Sequence, residues 1–362
     1  MSKPDINVPL DRSWFYNEKD KYLDLPEFKR FEEISGIKLH DIISIDPETV
    51  EAAQKILEER SVISNEVRKL HFGFAFPYFI YTHDFHDIEP VPRHKIELDK
   101  LFMGLDMCDS LRRRHIALSH GIIPYCLDKV HEKTGNRLTV KNLGSGVGLD
   151  VIHAVKNANG NVSKVLNYDT NRDAVRIGRA IVDYMEIHER AINPGVIHYV
   201  DKSMTHSDEC ADVIIMVGVI CGLQDFAAQF LLTRAYDQLY EGGALIVSSS
   251  NHHMENADPF ASFLIQHLGS KDDYDKGWSL NFRTEEKMER LLREAGFHHI
   301  EIFSDTEFPG KKELREEILF GIDTLPAKAR GYYHSGKPLN LPPKEILERG
   351  IAYNWIAVAT KT

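Results

Sequence analysis

A chain of 362 residues, 43% apolar and 27% charged, holds material for one large or two ordinary domains with proper cores, which excludes disordered and collagen-like structure. Its net charge of −11 gives no general attraction to a polyphosphate, so nucleic acid is disfavoured as a partner. The four cysteines (Cys108, Cys126, Cys210, Cys221) lack Cys-x-x-Cys spacing, residues 1–10 carry no leader signature and no run nears the roughly 18 apolar residues of a spanning helix, which together predict a cytoplasmic protein with reduced thiols and no membrane partner.

Residues 1–110 read mainly as helices. Asp46 as cap and Pro47 as first helical residue begin an amphipathic stretch to about Lys69. The aromatic segment 71–81, HFGFAFPYFIY, follows; Phe72, Phe74, Phe76 and Phe79 read as core, with Tyr78 and Tyr81 open to a pocket. His83, Asp84, His86 and Asp87 in THDFHD could ligate a metal, but read as a surface loop for want of fixed partners, and no metal is expected. Residues 111–133 form a second long helix.

Beyond residue 137 the pattern alternates. Apolar runs at 138–143, 165–168, 196–200, 212–217 and 244–248, then 299–303 and 353–359, predict a parallel sheet with crossover helices and nearly continuous apolar strands. Gly242-Gly243 is expected to break the helix before the fifth strand. Thr284 is expected to cap TEEKMERLLREAG, with Glu285 and Glu286 at its positive end and Gly296 stopping it. Residues 304–352 exceed an ordinary connection and read as an inserted lid, whose Tyr332 and Tyr333 would close the pocket from the other side.

The chemistry concentrates at residues 140–150, VKNLGSGVGLD, where a strand runs into Gly144, Gly146 and Gly148. Such a turn lets backbone approach a ligand closely, and the helix beyond it favours a negative group. The spacing G-x-G-x-G departs from the G-x-G-x-x-G of a dinucleotide site and lacks the Lys-Ser/Thr ending of a phosphate loop. Asp169, ending the second strand, can accept both hydroxyls of a ribose. Asp201, ending the third in HYVDKS, can receive an adenine amino group.

NLGSGVG, NYDTN, ADVIIMVGV, LYEGGALIVS and FRTEEKMERLLREAGF, with the terminal YNWIAVATK, follow one another as in the class I S-adenosylmethionine-dependent methyltransferases, which residues 111–303 and the last strand resemble. The resemblance implies an α/β, Rossmann-like seven-stranded sheet whose last strand is antiparallel between the fifth and sixth. It implies a methyltransferase domain at 111–362 with the insertion 304–352, leaving 1–110 as a helical cap. It also implies that Gly144, Ser145, Gly146 and Gly148 line the methionine part of S-adenosylmethionine, Asp169 with Thr170 holds the ribose, Asp201 and Lys202 flank the adenine, and Val217 and Gly218 lie under the sulfonium.

Methyl transfer from a sulfonium is an in-line displacement whose rate comes largely from alignment in a dry pocket. Where the acceptor must lose a proton, His252 and His253 in SSSNHHMENADPF are the candidate bases, because they follow the fifth strand at the carboxyl end of the sheet. Arg112, Arg113 and Arg114 cannot share one helical face, so Arg113 with Arg114 or His115 is expected at a carboxylate and the remainder on a solvated face. The expected substrate contacts are thus Tyr78, Tyr81, Arg113, Tyr332 and Tyr333. Three functions stand: a methyltransferase acting on a small-molecule acceptor, favoured by the acidic charge; one acting on RNA or a protein side chain; and a non-catalytic binding module. Apolar positions in the N-terminal helices favour a homodimer.

Overall fold

The computed structural model describes residues 25–38, 41, 47–69, 77, 80–81, 93–157, 160–189, 192–254, 260, 281–314 and 352–362. Within them seven strands form one sheet: β1 (Leu138–Leu143), β2 (Val162–Asp169), β3 (Ile197–Asp201), β4 (Ala211–Met216), β5 (Leu239–Ser250), β6 (His299–Ser304) and β7 (Asn354–Thr360). The order is β3-β2-β1-β4-β5-β7-β6. Neighbours among β1 to β5 pair in parallel, and β7 runs antiparallel to both β5 and β6, as the resemblance implies.

The helices are α1 (Pro26–Ser35), α2 (Pro47–Arg60), α3 (Val62–Lys69), α4 (Arg93–Met103), α5 (Asp106–Ile116), α6 (Ile123–Thr134), α7 (Leu149–Asn157), α8 (Arg172–Tyr184), α9 (Asp225–Asp237) and α10 (Glu285–Glu294). Successive strand residues point to opposite faces, so Val213 and Ile215 pack with α6, α7 and α8, whereas Ile214 and Met216 pack with α9 and α10. Both faces are covered, which is why the strands read as continuous apolar runs. Phe28, Phe31, Leu57 and Leu98 carry the N-terminal helices into the first of these cores.

In β1 two residues break the apolar rule. Lys141 and Asn142 of β1 are buried. The Lys141 ammonium donates to the Glu209 carbonyl at 2.6 Å and to Gln238 Oε1 at 2.7 Å, and Asn142 Nδ2 donates to Asn167 Oδ1 at 2.9 Å. Burial is tolerated because the partners are supplied.

Long-range contacts also reshape the predicted helices. The stretch expected to run to Lys69 divides at Ser61, because the buried Asp99 of α4 accepts from the Ser61 hydroxyl (2.5 Å) and from the amides of Val62 (3.0 Å) and Ile63 (3.3 Å), capping α3. The predicted helix over 111–133 contains a π turn, Ala117–Ile122, between α5 and α6. There Gly121 admits the Pro309 carbonyl and the Phe308 ring into space a Cβ would fill.

The glycine pair 242–243 does not end a helix. α9 stops at Asp237, and both glycines lie inside β5 where its register with β4 shifts between Ala211 and Val213. Gly242 takes φ 82°, and a Cβ on Gly243 would lie 2.7 Å from the Asp212 carbonyl. Thr284 caps α10 as expected, accepting from the Lys287 amide at 3.2 Å. Tyr78, Tyr332, Tyr333 and the His83–His86 cluster lie outside the described residues. No helix among the described residues is long and apolar enough to cross a membrane, and all four cysteines are free thiols.

Candidate active site

The turn between β1 and α7 holds Gly144, Gly146 and Gly148 at φ 65°, 53° and 78°, the left-handed region that side chains resist. Space is also short. A Cβ on Gly144 would lie 2.8 Å from Val219 Cγ2 and 3.6 Å from Met204 Cε. The Ser145 amide donates to the Tyr168 carbonyl at 3.0 Å, tying the turn to β2.

Asp169, at the end of β2, locks the turn from the other side. Its Oδ2 accepts from the Gly146 amide at 2.7 Å and its Oδ1 from the Asn171 amide at 2.8 Å. Burial pushes its carboxyl above the ordinary carboxylate range, opposed by the amides of Asn171, Gly146 and Thr170. The two oxygens carry about four lone-pair sites, more than the amides of Gly146, Asn171 and Thr170 use, so acceptor capacity remains for a ligand hydroxyl. Asn171 then caps α8, accepting from the amides of Asp173 and Ala174 at 3.0 and 3.1 Å.

Tyr199 on β3 braces the turn from below. Its hydroxyl donates to the Val147 carbonyl at 2.5 Å, and its ring occupies the room left by Gly178 in α8. Removing that hydroxyl with Tyr199→Phe strands a buried carbonyl, so the variant is expected to lose about 1–3 kcal/mol in urea unfolding.

Asp201 is the register partner of Asp169 on the neighbouring strand. It is exposed and pairs with Arg172 at 3.3 Å, while Lys202 beside it and Thr170 are exposed as well. At the end of β4, Gly218 takes φ 69° and donates its amide to Ser248 Oγ at 2.9 Å. The Gly144–Gly148 turn, Asp169, Asp201 and Gly218 therefore lie at the carboxyl ends of four neighbouring parallel strands, the edge where open α/β sheets take ligands.

The arginine run is not solvated. Arg112, Arg113 and Arg114 are all buried, each facing a different partner. Arg112 holds Asp109 at 2.5 Å and the Ile80 and Met103 carbonyls. Arg113, expected at the substrate, is 1% exposed and faces Asp305 at 3.9 Å. Arg114 instead reaches the site: its terminal nitrogens lie 3.8 Å from where a Gly218 Cβ would be. It donates to Tyr81 Oη at 2.9 Å and Asn354 Oδ1 at 3.3 Å, and its buried Nε has no hydrogen-bond partner among the described residues.

Tyr81, expected at the pocket, stacks on His115 with centroids 4.5 Å apart, and burial pushes its phenol up to about 12. His115 Nδ1 meets Asp150 of α7 at 2.5 Å, and its Nε2 meets His153 at 3.1 Å. Neither Asp150 nor His153 stands out in the sequence; proximity across 35 and 38 residues brings them in.

Burial lowers His153 well below the usual imidazole value of 6.5 and His120 to about 4, so both are neutral when folded. As pH falls from 6.5 towards 4, the unfolded chain binds protons that the folded chain refuses, and stability must fall. Urea midpoints at pH 7 and pH 5 are expected to differ more for the natural chain than for His153→Gln.

His252 and His253 lie just past β5 with rings 3.9 Å apart. The His252 amide donates to the Arg283 carbonyl at 3.3 Å, and the His253 amide to Asn251 Oδ1 at 3.0 Å. His253 is exposed, whereas His252 Nδ1 is buried with no hydrogen-bond partner among the described residues. No described hydrogen bond joins either ring to the glycine turn or Asp169. Among the described residues no group of three His, Cys, Asp or Glu could hold a metal ion.

No protein-family model and no curated protein matches the chain. Solved structures do resemble it. A possible exported protein from Bordetella parapertussis is 14% identical, with 93% of this chain and 98% of that chain covered and a TM-score of 0.55. Magnesium protoporphyrin IX methyltransferase from Synechocystis, with bound S-adenosylmethionine, is 11% identical over 82% of this chain and 96% of that chain, with a TM-score of 0.45. The cyclopropane synthase MmaA2 from Mycobacterium tuberculosis is 13% identical over 82% and 98%, with a TM-score of 0.43. At such identities the likeness is one of fold.

Proposed function

From the class I S-adenosylmethionine-dependent methyltransferase fold of this chain, we propose a cytoplasmic enzyme that moves a methyl group in line from S-adenosylmethionine to a small-molecule acceptor in an enclosed pocket. The observation that carries the reading is the lock between Asp169 and the Gly146 amide, which sets a diol acceptor beside a turn free of side chains at alternate positions.

The donor set fits the cofactor. Asp169 offers the acceptor capacity its amide partners leave to the ribose, the Arg114 guanidinium with its unused Nε offers charge-assisted bonds to the carboxylate, and Gly144, Gly146 and Gly218 allow close backbone approach. Ser145 and Gly148 complete the turn, Thr170 would adjoin the ribose and Asp201 and Lys202 would flank the adenine, with Val217 leading into Gly218. When bound, the cofactor supplies an electrophilic methyl group on a sulfonium. The chain's part is to hold that group and the acceptor in line and to exclude water. Tyr81 forms one wall, and His252, with its unpartnered Nδ1, is the group proposed to take a proton from the acceptor, with His253 beside it.

Calorimetric titration with S-adenosylmethionine tests the binding, and transfer of an isotopically labelled methyl group across a metabolite collection tests the acceptor class. Micromolar binding and labelling of a compact metabolite are expected. A folded chain that binds no cofactor at millimolar concentration overturns the proposal, and labelling of RNA or protein alone overturns the acceptor class.

A further inference from the structure

Away from the glycine turn, towards the end of the sheet where β6 begins, a cleft of about 270 Å³ opens between α6 and strands β5, β7 and β6. Its origin lies in the register. Ala244 of β5, Thr360 of β7 and His299 of β6 form one row across three strands, and the next row on the same face carries Val358 and Glu301. The small Ala244 and Thr360 side chains in the first row leave a gap under α6, with Val130, Ala244 and Val358 as buried apolar walls. The volume lies just below the range of about 300–1,000 Å³ usual for ligand pockets, which suits a ligand the size of a single ring with one head group.

The polar groups are unevenly committed. Lys129 is bound to Glu301 at 3.1 Å and stands 4.2 Å over the Tyr125 ring, so that ion pair is internally satisfied. Lys133, one turn further along α6, crosses above Gly242, where a Cβ would lie 3.1 Å from its Cε. The Lys133 ammonium, the His299 imidazole and the Thr360 hydroxyl have no side-chain hydrogen bond or ion pair among the described residues. In a chain of net charge −11, one uncompensated lysine over an apolar cleft is a local reversal of sign.

We propose that this cleft is a second ligand site, for a small organic monocarboxylate whose apolar body lies against Val130, Ala244 and Val358 and whose carboxylate meets Lys133, His299 and Thr360. The apolar walls supply burial, and the ammonium supplies the charge-assisted bond that selects an anion. The site does not depend on the methyltransferase reading, because it shares no residue with the glycine turn, Asp169 or Arg114.

Fluorine NMR of para-fluorobenzoate titrated with the full chain tests it. The expected result is saturable line broadening that persists with excess S-adenosylhomocysteine and weakens about tenfold or more in Lys133→Met, a surface change that leaves the fold intact. Ala244→Leu, checked by its melting curve, is expected to abolish binding by filling the cleft. Absence of binding at millimolar probe, equal binding to Lys133→Met, equal binding of para-fluorobenzamide, or displacement by S-adenosylhomocysteine overturns the proposal.

Discussion

Asp169→Ala is expected to weaken S-adenosylmethionine binding by about a hundredfold or more, measured by calorimetry on a variant whose circular dichroism remains that of the natural chain. The carboxylate faces two tasks: it holds the Gly146, Asn171 and Thr170 amides, and it keeps its remaining acceptor capacity for the ribose hydroxyls. A hydrogen bond to a charged group contributes roughly 1.5–3 kcal/mol, so losing two reaches or exceeds two powers of ten in affinity. Asp169→Asn keeps one carbonyl acceptor and is expected to fall between. Undiminished affinity in the folded alanine variant would mean that the cofactor does not use the end of β2.

Arg283→Met is expected to cost about 3–5 kcal/mol in urea unfolding, the largest loss of stability we anticipate from one substitution outside the glycine turn. Arg283 is 2% exposed, and its guanidinium donates to the Ile220 carbonyl at 2.8 Å, the Leu223 carbonyl at 2.7 Å, Ser249 Oγ at 3.2 Å and Asp225 Oδ1 at 3.2 Å. It therefore clamps the connection that follows Gly218 to the end of β5. Methionine fills the volume but leaves two carbonyls without their donor. Arg283→Lys restores the charge without the planar fork and is expected to recover only part of the loss. A midpoint unchanged in Arg283→Met would show that water replaces the clamp at no cost.

The sheet was legible because both faces of its central strands are covered, so those strands announce themselves as apolar runs; observed strand starts and ends lie close to the predicted runs, apart from β5, whose first residues carry the 242–243 bulge. The glycine turn and Asp169 were legible because backbone geometry at φ above zero demands glycine and a strand-end carboxylate follows at a recognisable distance. Arg114 was harder. The sequence names it only as an alternative companion to Arg113 at a carboxylate, and only the packing of α5 against Tyr81 and Asn354 turns each of the three arginines inward to a separate partner.

The order of elements, the seven strands and the strand ends that form the candidate site follow from the sequence, because these depend on local propensity and hydrophobic period. Tertiary structure alone decided which arginine reaches Gly218, that Tyr199 braces the turn through the Val147 carbonyl, that Asp150 engages His115 and that Asp99 caps a helix far from it in the chain. Those pairings join residues separated by 35 to 52 positions, or by more where β4 and α5 meet. No periodicity encodes them, since they arise only when separate elements compete to satisfy the same buried polar groups.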